Sequence, residues 1–397
     1  MSTHIPLGFE LSGVHCGVKQ DADMEDLVLV VCRGGAVAVG AYTTNLICAA
    51  PVELDRRRTP TNDARVLVIN SGNANACTGD QGDQDARRMG QLAATAIGGE
   101  EHQALVMSTG VIGESLPMEK IAAGIADAAG QLGDNADALA KAARGMMTTD
   151  KVPKVASREF VLSGNSVRIL GMAKGAGMIG PKMATMLAVV MTDACLVPDD
   201  AQTLLKNAVD VTFNCISVEG HMSTNDTVLL LASGNATDQP LAGEDLSQFS
   251  AALERVCLDL ARAIPADGEG ATHLIAIDVS GCETDGDAFQ IAKTIADSPL
   301  VKTAVTGCDP NWGRIVSAAG YAGVLFDPRQ VSLSLVGTLL YKNGTPVTFD
   351  ATSVSAEMRT RFEIDVVLRV GAGPGKCRFF TSDLTTEYIH INADYHT

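Results

Sequence analysis

The sequence predicts a mixed α/β protein, built as two lobes or as one large two-layer domain, and three observations carry that reading. At 397 residues the chain is long for a single core. Hydrophobic residues at 46% and charged ones at 19% are the balance of a globular protein with a sizeable interior, and 39 glycines promise many turns and close backbone approaches. Short apolar runs bounded by glycine occur along it together with longer stretches of helical spacing, so strands and helices are both expected.

Taken in order, Asp26–Cys32 reads as a buried strand, followed by a glycine turn and the apolar Ala36–Tyr42. Arg65–Asn70 is a second strand that opens into Asn70-Ser-Gly-Asn-Ala-Asn-Ala-Cys-Thr-Gly79, a loop whose asparagines suit local side-chain to backbone bonds. Gln81–Ile97 has helical spacing, and Ala104–Gly110 is a strand ending in Ser108-Thr-Gly110. Such an end is either an ordinary turn or a source of free backbone N–H groups for a developing oxyanion. Pro117–Ala129 and Asn135–Arg144 read as helices, and Glu159–Leu162 with Val167–Leu170 as a hairpin. A helix is expected over Asp199–Phe213, its acidic first turn matching the macrodipole, and a strand over Val228–Ala232. Leu246–Ile264 carries Phe249, Leu253, Val256, Leu260 and Ile264 on one face and should end at Pro265. Leu274–Val279, Val331–Val336, Ile364–Val370 and Tyr388–Ile391 read as strands.

Charge and composition narrow the function. A net charge of −17 argues against a nucleic-acid partner, so an anionic substrate would need a local basic pocket. No run of 18 apolar residues suggests a membrane span, and no basic and apolar leader is visible at the N-terminus. The 10 cysteines contain no C-x-x-C pair, which fits reduced thiols in a cytoplasmic protein. The 7 histidines show no metal-ligand spacing, so no metal site is expected.

The stretch Gly171-Met-Ala-Lys-Gly-Ala-Gly-Met-Ile-Gly-Pro-Lys-Met-Ala-Thr-Met-Leu-Ala-Val-Val-Met-Thr-Asp193 holds the chemistry. A glycine-rich backbone runs into an apolar segment whose lone hydroxyl is that of Thr185. Threonine is β-branched and sits well in a strand, which accounts for it structurally. Alternatively Thr185 is a nucleophile. Were the Ala184–Thr185 bond cut, the new α-amine, with a reference pKa of about 7.7–8.0, would take the hydroxyl proton without help from His or Asp.

Lys174-Gly-Ala-Gly-Met-Ile179, Met183-Ala-Thr-Met-Leu187, Thr192-Asp-Ala194, the Asn70–Ala76 loop and the run Asp297–Arg314 resemble the ornithine acetyltransferase (glutamate N-acetyltransferase) family of arginine biosynthesis, across almost all of the chain. The resemblance implies an α/β sandwich of mixed sheets between helical layers, of N-terminal-nucleophile type. It implies self-cleavage between Ala184 and Thr185 into an α chain, 1–184, and a β chain, 185–397, assembled as two of each. Thr185 would carry the acetyl group from N-acetylornithine to glutamate, Thr109 and Gly110 would hold the oxyanion, and Thr148, Lys174, Glu269, Asn392 and Thr397 would bind substrate. Acetyl-CoA stands as a second candidate donor.

The chain departs from the family pattern at Lys151, Glu219, His221, Met222, His273 and His396. Lys151 would add a cation near the pocket, His221 is either a base or a surface residue, and a related amino acid could be the substrate. A different class remains open, since Gly175, Gly177 and Gly180 spell G-x-G-x-x-G ahead of Pro181, with Asp199 and Asp200 about 20 residues on, as in dinucleotide-binding oxidoreductases. A noncatalytic binding protein on the same fold is a third reading.

Overall fold

A computed structural model describes residues 4–180 and 186–394. Its strands are β1 (Phe9–Val14), β2 (Leu27–Tyr42), β3 (Thr61–Asn73), β4 (Ala104–Val111), β5 (Lys154–Leu162), β6 (Asn165–Lys174), β7 (Leu187–Thr192), β8 (Ile216–Ser217), β9 (Thr227–Ala232), β10 (Leu274–Cys282), β11 (Ser332–Leu335), β12 (Thr338–Lys342), β13 (Thr345–Pro346), β14 (Glu363–Arg369) and β15 (Gly375–Ser382). The helices are α1 (Ala50–Arg58), α2 (Gly79–Ala96), α3 (Met118–Gly130), α4 (Ala136–Gly145), α5 (Pro198–Val211), α6 (Gly243–Ala266), α7 (Asp285–Ala296), α8 (Pro299–Thr306), α9 (Trp312–Gly320), α10 (Ala351–Thr360) and α11 (Thr386–Asp394).

Two sheets form. The first runs β4-β3-β2-β9-β7-β6-β5 with β1 also on β2, and the second runs β13-β12-β11-β14-β10-β15-β8. The glycines at 34 and 35 do not turn the chain back. They sit in the single long strand β2, whose register against β3 shifts between Val31 and Ala36. Before that irregularity β2 pairs with β1 and β3, and after it β2 keeps β3 at Ala36 and Ala38 while residues 37–42 pair with β9. The sheet therefore folds over itself at this corner, as bulges allow. Val28, Val30 and Cys32 from one half meet Leu187, Val189 and Met191 from the other in a shared core. Alternate residues of the first half (Leu27, Leu29, Val31) pack outward on α2 and α3, while Ala188 and Val190 of the other half pack on α5 and α6. The result is the expected sandwich of sheet layers between helices. The second sheet has its own core with α7, α8, α9 and α10, and Leu274, Ala276 and Phe380 join it to the core around α6.

Two boundaries differ from sequence expectation. Pro265 lies inside α6, whose last turn runs on to Ala266, because proline removes one helical bond near a C-terminus already stacked on buried Ile264. Tyr388–Ile391 is not a strand. It belongs to helix α11, where Ile389 is exposed, so the β propensity of Tyr-Ile-His-Ile finds no sheet to join. Among the described residues, no helix is long and apolar enough to cross a membrane.

The candidate active site

β3 and β4 run parallel and end together, with Asn70 opposite Ser108 and Ser71 opposite Thr109. Gly110 follows at φ 135°, and a Cβ there would stand 2.2 Å from the carbonyl carbon of Gly72, so glycine is required at this close approach. The asparagine loop is locked in place. Asn70 Nδ2 donates to the Asn73 carbonyl at 2.8 Å and Ser108 Oγ to Asn70 Oδ1 at 2.6 Å. From the loop before β9, Asn225 Nδ2 donates to the carbonyls of Ala74 at 2.6 Å and Ser108 at 2.9 Å.

These strand ends open on a cleft lined by Thr109, Gly110, Thr148, Lys174, Glu269 and Asn392, with Ala74, Gly177, Ser223 and Asn225 also in its walls. Six residues assigned by resemblance, scattered over nearly 300 positions of sequence, thus share one cavity. Ala184 and Thr185 lie outside the described residues, as do Pro181, His396 and Thr397. What flanks the first pair is described. Val218 and Gly220 both donate their amides to the Ile179 carbonyl, at 2.9 and 3.0 Å, fixing the approach from one side. On the other side the Met186 amide donates to Asp226 Oδ1 at 3.2 Å.

A buried carboxylate organises the wall that carries Thr148 and Lys174. Asp150 accepts from Lys154 Nζ at 2.6 Å, from the Gly175 amide at 2.7 Å and from the Thr148 amide at 3.0 Å. Burial alone would raise its pKa, but Lys154, Lys174 and the Gly175 amide outweigh that and hold it below the usual range. Lys154 also reaches Asp267 Oδ2 at 2.7 Å, which ties the Thr148 loop to the Glu269 turn. Lys174 is wholly buried. Burial holds its pKa below the ordinary lysine range, against the opposing pull of Asp150, Asp226 and Glu269.

At the other end of the cleft Glu269 Oε2 accepts from Asn392 Nδ2 at 2.8 Å, and the same amide donates to the Tyr388 carbonyl at 3.0 Å. Helix α11 is therefore built into the cleft, and it places Asn392 one turn after Tyr388. Gly177 makes room for the carboxylate, since a Cβ there would lie 2.4 Å from each Glu269 oxygen.

The structure corrects one sequence expectation and decides between others that were left open. Lys151 adds no cation to the cleft. Its side chain is exposed, and its backbone N–H donates to Asp267 Oδ2 at 3.0 Å. His221 is exposed and absent from the lining, so it is a surface residue. The G-x-G-x-x-G run is followed by β7, a strand in the middle of the first sheet, where a dinucleotide fold needs a helix N-terminus. Trp312 and Arg314 are structural, the indole stacking on Tyr341 at 5.2 Å and the guanidinium bonding the Leu300 carbonyl. Sequence reasoning gave no role to Asp150, Lys154, Asn225 or Asp267. Only the Asp-Lys spacing of 150 and 154, four apart beside two threonines, hinted at them.

Comparison with known proteins points to one family. The model of the ArgJ family matches residues 10–397. An "Arginine biosynthesis bifunctional protein ArgJ" from Rhodopirellula baltica is 49% identical, covering 99% of this chain and 96% of its own. A protein of the same description from Geobacter sulfurreducens is 43% identical over 98% of this chain and 99% of its own. A solved ArgJ structure from Bacillus halodurans is 37% identical with a TM-score of 0.51, covering 52% of this chain and 98% of that one. With the family model spanning residues 10–397 and two relatives 49% and 43% identical over nearly all of the chain, the chain belongs to the ArgJ family, the ornithine acetyltransferases of arginine biosynthesis, and is an acyltransferase.

Proposed function

We propose that this enzyme moves an acetyl group from N2-acetyl-L-ornithine to L-glutamate through an ester on Thr185, after cutting itself between Ala184 and Thr185. The observation that carries the reading is the shared cleft, in which Thr109 and Gly110, Lys174 and Thr148, and Glu269 and Asn392 surround one small-molecule volume. The Thr185 hydroxyl attacks the acetyl carbonyl and its own α-amine takes the proton. Thr109 and Gly110, where β4 ends, hold the tetrahedral oxyanion. Ornithine leaves, glutamate enters, and its amine takes the acetyl group from the ester.

Lys174, Thr148 and Asn392 hold the α-carboxylate that both amino acids share, the cation supplying charge-assisted bonds. Thr397 is a further substrate-binding residue, and Glu269 pairs with the side-chain ammonium of ornithine. No bound cofactor takes part, and acetyl-CoA is a candidate second donor.

Cutting at 184 leaves the fold knitted together. β7 and β9 of the β chain lie between β2 and β6 of the α chain, paired to both. The two pieces therefore stay associated, and we expect two of each in the assembly. The Bacillus halodurans chain, covering about half of this one over nearly its full length, has the size of one piece of a cut precursor. The test is Thr185→Ala. It should give a single uncut chain with no acetyl transfer from N-acetylornithine to glutamate, and a cut or active variant would overturn the scheme.

A further inference from the structure

Outside the cleft a thiol, an imidazole and a carboxylate meet in sequence. His273 stands just before β10 and Asp383 just after β15. Those strands pair with Leu274 opposite Ser382, so His273 lies beside Asp383, whose amide donates to the His273 carbonyl at 3.1 Å. Cys308 follows α8 by two residues at φ 49°, in a left-handed turn closed by its own amide on the Val305 carbonyl and by the Asp309 amide on that of Ala304. Thr306, the last residue of α8, stitches this turn to the carboxylate. Its Oγ1 donates to the Leu384 carbonyl at 2.8 Å and reaches Asp383 Oδ2 at 3.1 Å.

The hydrogen bonds decide which imidazole nitrogen carries the proton. Asp383 Oδ1 accepts the amides of Thr272 at 2.8 Å and His273 at 3.0 Å, and Oδ2 accepts the Thr272 hydroxyl at 2.6 Å. With its proton on the carboxylate, Thr272 Oγ1 can only accept from His273 Nδ1, 2.9 Å away, and Asp383 Oδ2 stands 3.4 Å from the same nitrogen. Nδ1 is therefore the N–H, and Nε2 presents a lone pair. That lone pair faces Cys308 Sγ at 3.9 Å, within reach of a hydrogen bond from a thiol. A thiol beside a bare imidazole nitrogen, with the ring fixed from its other side by a carboxylate, is the arrangement that activates a nucleophile. Such contacts are often long before the reactant arrives. His273 is also one of the positions at which the chain departs from the family pattern.

We propose that Cys308 is a modification site, a thiol that reduces small hydroperoxides with His273 as its base. His273 Nε2 takes the thiol proton as sulfur attacks one oxygen of the O–O bond. The S–O bond forms, the O–O bond breaks, and the imidazolium returns the proton to the departing oxygen. The products are a sulfenic acid on Cys308 and water, or an alcohol from an organic peroxide. Sulfur gives up two electrons and the peroxide gains them. Access suits a reagent of that size. Cys308 is 7% exposed, but Thr272, Gly307 and Asp309 around it are exposed and the His273 ring is partly so, which puts the pair at the solvent edge of the second core.

The experiment treats the fully reduced wild-type enzyme with hydrogen peroxide at neutral pH, traps sulfenic acids with a 1,3-dicarbonyl reagent and follows each of the 10 cysteines by peptide mass. Were exposure alone decisive, Cys77, which is exposed, would lead, and Cys308 would trail with the buried Cys215, Cys257 and Cys282. Cys308 should instead be oxidised first. His273→Gln keeps a polar side chain but offers no base. It should slow oxidation of Cys308 roughly a hundredfold, the low end for a general base, and leave the rate at Cys77 unchanged. The wild-type ranking decides even where that variant fails to accumulate. Cys308 reacting no faster than Cys77, or equally fast with glutamine at 273, overturns the proposal.

Discussion

Gly177→Ala tests the Glu269 end of the cleft, proposed to meet the ornithine ammonium, by adding a single methyl group. Gly177 has no left-handed φ, so alanine is not strained there, but its Cβ would stand 2.4 Å from the Glu269 carboxylate carbon and from both oxygens. What must give is the end of a flexible side chain, and the carboxylate turns aside. In doing so it leaves Asn392 Nδ2, now 2.8 Å from Oε2, and the position from which it would meet an ammonium. A hydrogen bond to a charged group contributes about 1.5–3 kcal/mol, or roughly 10- to 150-fold in kcat/KM. The loss should appear with N-acetylornithine as substrate, measured by release of ornithine, while thermal unfolding and the extent of chain cutting stay close to wild type. An unchanged kcat/KM would refute the role given to Glu269, and loss of folding or cutting would refute the claim that the clash is absorbed by a side chain alone.

Gly180→Ala should behave differently, because its Cβ meets backbone, the Gly220 carbonyl carbon and oxygen at 2.6 and 2.7 Å, which cannot swing away. Slower or absent cutting on a denaturing gel is expected, even where the chain folds. Asp150→Ala removes the acceptor shared by Lys154 and by the Thr148 and Gly175 amides. Breaking a buried pair costs about 3–5 kcal/mol, and because Lys154 keeps Asp267 the low end is expected, seen as a reduced unfolding midpoint together with lost activity. Glu219→Gln should also change stability with a definite sign. The native carboxyl keeps its proton to about pH 8 while the unfolded one loses it near 4.5, so wild-type stability drains away as pH rises between those values. Unfolding midpoints of the glutamine variant should therefore gain on wild type from pH 5 to 8, and a difference that does not vary with pH would contradict this.

Much of the fold was legible because the strands are apolar and bounded by glycine, and because α6 shows one clean apolar face. The fold-back of the first sheet was not, since Arg33-Gly-Gly35 has the composition of a turn and only long-range pairing of β2 with β9 makes it a corner within one strand. Tyr388–Ile391 misled for a similar reason. Its residues favour strands locally, and the helix is selected by contacts far away, with Asn392 reaching Glu269 across 123 positions. The candidate site was legible at the glycine-bounded motifs, since Thr109, Gly110 and Lys174 line one cleft. It was illegible where a residue acts through another, as Asp150 does through two backbone amides and Asn225 through two carbonyls.

The most direct measurement is the intact mass of the purified enzyme before and after brief exposure to N-acetylornithine in the absence of glutamate. Two polypeptides, 1–184 and 185–397, are predicted, with one acetyl group gained on the N-terminal threonine of the second and lost when glutamate is added. A single unbroken chain that turns over substrate, or two chains with the acetyl group found on any other residue, would contradict it.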